Sequence, residues 1–232
     1  MAENNIKRAI IVGIPGVGKT TVITRAAELL STERQLKTAI VTYGTLMFEE
    51  AQQKLGVKNR DEMRRLPVDQ QGGLQEMAAR RIAEMRDGIV IVDTHLFIST
   101  REGYYPGLPM RLATLMNPTN LIMVTARPEE IAERRKNDPS RQRDAAEPEV
   151  IKEQLEISKM MLASCSVITG APFAIVRNDT GSMDDAAMGI VRILDTTTTA
   201  AAHNNTSAKT AATATAAAAT KTGNGDGGGG SK

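Results

Sequence analysis

Apolar residues fall along the chain in two rhythms. Ala9 to Val12, Ala39 to Val41, Ile89 to Val92, Leu121 to Val124 and Phe173 to Val176 are short runs rich in Ile and Val, without polar alternation. Such runs predict strands buried on both faces, as in a parallel sheet. Between them, apolar positions recur three and four apart, as in Leu74, Met77, Ala78, Ile82 and Met85, or Ile151, Leu155, Ile157 and Met161. That is helical spacing, and the alternation of strand and helix predicts a doubly wound α/β domain with helices on both faces of the sheet. Pro128 suits the first position of a helix that continues through Glu129, Glu130, Ile131 and Arg134. Gly170, followed by Pro172, ends another and opens the last strand, and a final helix is predicted from Met183 to Leu194.

The pattern stops near Asp195. Residues 196–232 contain 11 Ala, 10 Thr and 6 Gly but no aromatic side chain. Ordering such a segment would cost backbone entropy with little burial in return, so a disordered tail is expected after a single domain of residues 1–195. The division also locates the charge. The chain has 29 basic and 27 acidic residues, and the tail's three Lys and one Asp account for the whole surplus, leaving 26 of each before it. A neutral domain argues against a dedicated nucleic-acid surface. No apolar run approaches the length of a membrane span, and MAENNIKR lacks the pattern of a leader, so a cytoplasmic protein without membrane association is expected. Cys165 is the one cysteine, which excludes an internal disulfide. Its apolar neighbours mark it as a buried small hydrophobe.

Directly after the first strand comes GIPGVGKT, Gly13 to Thr20, then Thr21 and a helical run. This matches the phosphate loop in its required context of strand, loop and helix. Gly13, Gly16 and Gly18, with Ile14, Pro15 and Val17 between them, let the backbone curl so that N–H groups face a phosphate at a helix N-terminus. Lys19 would reach the β- and γ-phosphates, Thr20 Oγ a magnesium ion, and Thr21 the α-phosphate. The partner acid should close another buried strand, and Asp93 after Ile89 to Val92 does so, placed to hold a magnesium-bound water. His95, two residues on, reads as structural.

A phosphate loop permits a GTPase, a motor or a small-molecule kinase. The fifth strand ends in Arg177-Asn178-Asp179, which does not supply a guanine signature, and about 195 residues suits a compact kinase. Arg127, Arg134, Arg135, Arg141 and Arg143 crowd into 17 residues after the fourth strand, with Asp138-Pro139-Ser140 breaking the helix between them. Arg141 and Arg143 thus fall on an irregular stretch, as in a short arginine-rich lid that neutralises the transferring phosphoryl group and excludes water.

GIPGVGKTT, YGTLMFEEA (43–51), RDEMRRLPVDQQ (60–71), IVDTH (91–95), GYYPGLP (103–109) and RQRD (141–144) together resemble the archaeal type of adenylate kinase. The resemblance runs in order over residues 6–194. It implies a P-loop kinase fold with five parallel strands, Mg2+-dependent transfer of the ATP γ-phosphate to AMP giving two ADP, and often a homotrimer. It further implies ATP-phosphate binding by Gly13 to Thr21, lid roles for Arg141 and Arg143, and an AMP site near Gly44, Thr45 and Gly107. Arg64 is the arginine expected for the AMP phosphate, with Arg65 as its alternative. Consecutive helical residues point about 100° apart, so one of that pair should face the site, and likewise one of Arg134 and Arg135. The lid is shorter than in bacterial members and has no four-cysteine zinc cluster. DTHLF stands where those members carry an arginine, leaving Arg101 as a candidate to complete the AMP site. Another small P-loop kinase with a different acceptor, or a nucleotide-binding regulatory subunit, are the competing readings.

Overall fold

A computed structural model describes residues 6–86, 88–100, 103–138 and 146–195. The fold described is that of the unit Met1–Leu194. The expected tail, 196–232, lies outside the described residues.

Among the described residues, β1 (Lys7–Val12), β2 (Thr38–Thr42), β3 (Ile89–Asp93), β6 (Asn120–Thr125) and β7 (Phe173–Arg177) form one sheet in the order β2-β3-β1-β6-β7. Every pair in it is parallel. Helices α1 (Lys19–Thr32), α2 (Tyr43–Leu55), α3 (Arg60–Arg64) and α4 (Val68–Glu84) belong to the crossovers before β3. Helix α5 (Met110–Met116) precedes β6, α6 (Pro128–Asn137) and α7 (Pro148–Thr169) precede β7, and α8 (Met183–Leu194) follows it. All five predicted strands and the predicted final helix are present. Pro128 opens α6, and Gly170 caps α7 at φ 71°.

Burial on both faces holds for the three inner strands. Ala9, Ile10 and Ile11 of β1, Ile91 and Val92 of β3, and Ile122 to Val124 of β6 are fully buried. It fails for β2 and β7, where Ile40 is 42% exposed, Phe173 46% and Ile175 43%. Both are edge strands, a property of neighbours in space that a run of Ile and Val along the chain does not carry. A second departure is a hairpin, β4 (Phe97–Thr100) antiparallel to β5 (Gly103–Pro106), with the Phe97 and Tyr104 rings edge to face at 4.7 Å.

Arg8 fastens the layers from within. Only 5% exposed, it donates from Nη1 to the carbonyls of Met116 and Asn117 (2.8 and 3.1 Å) and from Nη2 to those of Ala83 and Met85 (3.1 and 3.0 Å). These are the exposed carbonyl ends of α5 and α4, which a cation suits by both hydrogen bonding and dipole. Burial first, and Arg86 second, lower its pKa from the ordinary arginine value. Replacing Arg8 by Met should cost about 3 kcal/mol, because four carbonyls at helix ends, in buried or part-buried hydrogen bonds, lose their donor. The measurement is the denaturant midpoint at unchanged slope, and an unaltered midpoint would refute the assignment. Cys165 is buried on α7, and burial raises its thiol pKa, as expected of an unreactive packing residue.

Candidate active site

The carboxyl ends of β1 and β3 lie side by side, with Ile11 in register with Asp93. In such sheets ligands bind at this end, beside the first strand. The chain leaves β1 into the Gly13 to Gly18 loop, which takes positive φ at Gly16 (87°) and Gly18 (78°) before entering α1. Gly18 is the N-cap of α1, supplies no capping side chain, and is followed by no acidic residue in the first turn. No acidic side chain of the first turn competes for the backbone N–H groups there, an arrangement that suits an anion.

Lys19 and Asp93, both buried, form an ion pair, and Thr20 Oγ1 lies 3.4 Å from Asp93 Oδ2. The structure thus brings together the loop lysine, the hydroxyl and the strand-terminal acid that the sequence singled out. A hydroxyl and a carboxylate at this spacing fit Mg2+, which takes one or two protein oxygens and completes its shell with phosphates and water. Among the described residues no group of three or more His, Cys, Asp or Glu forms a metal cage. Thr21, next on α1, is exposed.

His95 is anchored to the loop. Its Nδ1 lies 2.7 Å from the Gly13 carbonyl oxygen, and since that oxygen only accepts, Nδ1 carries the proton. Gly107 fixes the same segment from behind. A Cβ there would stand 2.6 Å from the His95 carbonyl oxygen, and its N–H donates to the Leu96 carbonyl at 2.8 Å. The close approach that Gly107 permits is to backbone.

The two adjacent arginines of α6 face different partners. Arg135 is 1% exposed, donating from Nε to the Pro15 carbonyl (2.9 Å) and from Nη2 to Gln154 (3.1 Å). Arg134 is part-exposed and donates from Nη1 and Nη2 to the Asn178 carbonyl (both 3.1 Å) and from Nη2 to Glu130 (3.2 Å). Burial raises the pKa of Glu130, but hydrogen bonds from the Thr180 backbone and side chain and from Arg127 outweigh it and hold the carboxyl below its usual range. Asn178, absent from the expected site, sends Nδ2 to the Val17 carbonyl at 2.8 Å. Arg141 and Arg143 of the expected lid, and Arg101, lie outside the described residues.

Gly44 and Thr45 lie in the first turn of α2. Tyr43, buried and donating to the Gln75 carbonyl at 2.8 Å, is the first residue of that helix, directly after β2. Burial raises its phenolic pKa. Arg64 is exposed and paired with Asp61 at 2.7 Å, and Arg65 is the C-cap of α3. The arginine brought to this corner is Arg60, whose Nη2 donates to Thr45 Oγ1 at 2.8 Å and whose Nη1 lies 3.8 Å from a Cβ at Gly44. Spacing could have found it, since Arg60 and Arg64 are four apart and share a helix face.

A family model described as an AAA domain matches residues 12–152. An adenylate kinase of Thermoplasma acidophilum is 44% identical over 187 residues, covering 81% of this chain and 98% of that protein. One of Sulfurisphaera tokodaii is 42% identical over 192 residues, and one of Methanocaldococcus jannaschii 39% over 189, each again matched over 98% of its length and over 80% and 81% of this chain. Among solved structures, a shikimate kinase from Acinetobacter baumannii in complex with shikimate superposes with a TM-score of 0.54 at 16% identity, covering 82% of this chain and 93% of that one. At that identity it attests the fold alone. Sequence similarity and the loop geometry agree: the chain carries the P-loop kinase fold and belongs to the adenylate kinase family.

Proposed function

We propose that the chain is an adenylate kinase, transferring the γ-phosphate of ATP to AMP to give two ADP. The observation that carries this reading is the meeting of Lys19, Thr20 and Asp93 at the foot of the loop, in a chain 44% identical over 81% of its length to an adenylate kinase. Gly13 to Thr21 bind the ATP phosphates, and Thr20 and Asp93 hold Mg2+, directly or through water. When bound, the ion neutralises phosphate charge and fixes the orientation of the transferred group. Lys19 answers the β- and γ-phosphates, and Arg134, Arg135, Arg141 and Arg143 contribute positive charge from the lid side. Gly44, Thr45, Arg64 and Gly107 border AMP, with Arg60 joining them through its bond to Thr45. No side chain has to remove a proton. The attacking AMP phosphate is already an anion, so the work is in-line positioning and screening of repulsion between two polyanions.

The deciding experiment supplies ATP as donor and offers AMP, CMP, UMP and a non-nucleotide alcohol as acceptors. ADP formation should depend on AMP, and activity confined to another acceptor would displace the assignment. A stable nucleotide complex with little AMP-dependent flux would instead favour a regulatory subunit.

Among the described residues no helix is long and apolar enough to cross a membrane. A cytoplasmic location without nucleic-acid partners is our reading of the remainder. Assembly as a homotrimer is part of the same proposal; Met160, Val167 and Ile168 of α7 and Phe173 and Ile175 of the edge strand β7 are exposed apolar side chains that an interface between copies could cover. Residues 196–232 take no part in catalysis in this reading. A chain ending at Asp195 should keep kcat and both KM values within twofold, and a tenfold loss would assign the tail a role.

A further inference from the structure

Three carbonyls of the phosphate loop, alternating along it, each receive a hydrogen bond from a different part of the fold. Gly13 is bonded by His95 Nδ1 at 2.7 Å, Pro15 by Arg135 Nε at 2.9 Å and Val17 by Asn178 Nδ2 at 2.8 Å. The donors belong to the segment after β3, to α6 and to the segment after β7. Arg135 and Asn178 are themselves buried, at 1% and 6% exposure.

The peptide bond turns these contacts into control of the inner face. In a trans peptide the C=O of one residue and the N–H of the next lie in one rigid plane and point in opposite directions. A donor that pins the carbonyl of Gly13, Pro15 or Val17 on the outside therefore sets the direction of the N–H of Ile14, Gly16 or Gly18 on the inside. Without such a donor, a carbonyl would turn to seek water and carry its N–H off the phosphate. Glycines make this restraint necessary, because Gly16 and Gly18 offer little resistance of their own to peptide rotation.

We propose that His95, Arg135 and Asn178 are positioning residues of the phosphate loop, each aiming one backbone N–H at the nucleotide phosphates by holding the carbonyl on the far side of the same peptide. The proposal rests on the reading of this loop as the ATP-phosphate site. It gives His95 a task distinct from acid–base or metal chemistry, and it gives Arg135 one that needs no contact with substrate.

The test measures kcat and the KM values for ATP and AMP, together with ATP binding by calorimetry, in wild type, His95→Ala, His95→Asn, His95→Gln and Asn178→Ala. Arg135 is left intact because its removal could unfold α6 from the loop. His95→Ala and Asn178→Ala should raise the ATP KM and the ATP dissociation constant about tenfold, the scale of one lost buried hydrogen bond, and leave the AMP KM within twofold. The Asn amide places an N–H where imidazole Nδ1 stands, so His95→Asn should restore ATP affinity to within about twofold of wild type. His95→Gln, whose amide lies one bond farther out, should not. Alanine variants that are less heat-stable yet bind ATP as wild type does would reduce these residues to scaffold and overturn the proposal. So would failure of His95→Asn to rescue, or an equal rise in the AMP KM. Absence of ATP binding by wild type would instead remove the reading of the loop on which the proposal stands.

Discussion

Lys19→Met should lower kcat for ADP formation by about 10³-fold or more while the protein remains folded. An arginine placed on the transferring phosphoryl group is worth ~10³ to 10⁵ in rate, and in the proposed mechanism the loop lysine would face the same developing charge. The side chain is buried and ion-paired with Asp93, so methionine keeps most of the packing while deleting the charge. Removing one partner leaves Asp93 without this cation, and some loss of stability should accompany the loss of rate. The two effects separate in practice: kcat is measured at saturating ATP and AMP, and stability by thermal unfolding of the same preparation. A variant retaining more than a tenth of wild-type kcat would show that the ammonium is not the main electrostatic support of transfer.

The next largest effect is expected from Gly18→Ala. Gly18 adopts φ 78°, which L side chains rarely take, and a Cβ there would stand 2.4 Å from Asn178 Nδ2. Asn178 cannot withdraw without surrendering its bond to Val17, and its own backbone is tied to Thr125 through an N–H to carbonyl bond of 2.7 Å. Alanine must therefore distort either the loop or the segment beyond β7, at the entrance to α1 where the proposed phosphate site lies. ATP affinity should fall about 100-fold, read by calorimetry, with kcat at saturation falling less. Wild-type affinity in this variant would mean that the loop adapts to a side chain at its narrowest point.

How far the sequence reached can be judged at particular residues. Strand positions were legible because Ile10, Ile91 and Ile122 sit in layers covered on both sides, where apolar residues predominate. The exposure of Ile40 and Phe173 was not, since being at an edge depends on the order in which strands are laid down. Lys19, Thr20 and Asp93 were found because their chemistry imposes side-chain identity at fixed spacing. Asn178 and Arg135 serve the loop through backbone acceptors, which impose no identity on the residues accepting. Their roles become visible only once the loop's carbonyls have directions. The hairpin at Phe97 to Pro106 escaped because each of its strands is four residues long, too short for alternation to declare itself. Arg60 escaped because the AMP-phosphate arginine was sought in the Arg64-Arg65 pair of the same short helix.

The three outer bonds of the phosphate loop also say something about the order of events during folding. They join residues 82, 120 and 161 positions apart, so the loop, written within the first 20 residues of the chain, is finished by residues that follow β3, lie in α6 and follow β7. Contacts of such separation close large loops and form late. A growing chain emerging from the ribosome would carry the complete glycine motif long before it could hold a nucleotide. On the proposal above, nucleotide affinity should be a property of the finished sheet, acquired when the fifth parallel strand docks, and its appearance during refolding should be a late step.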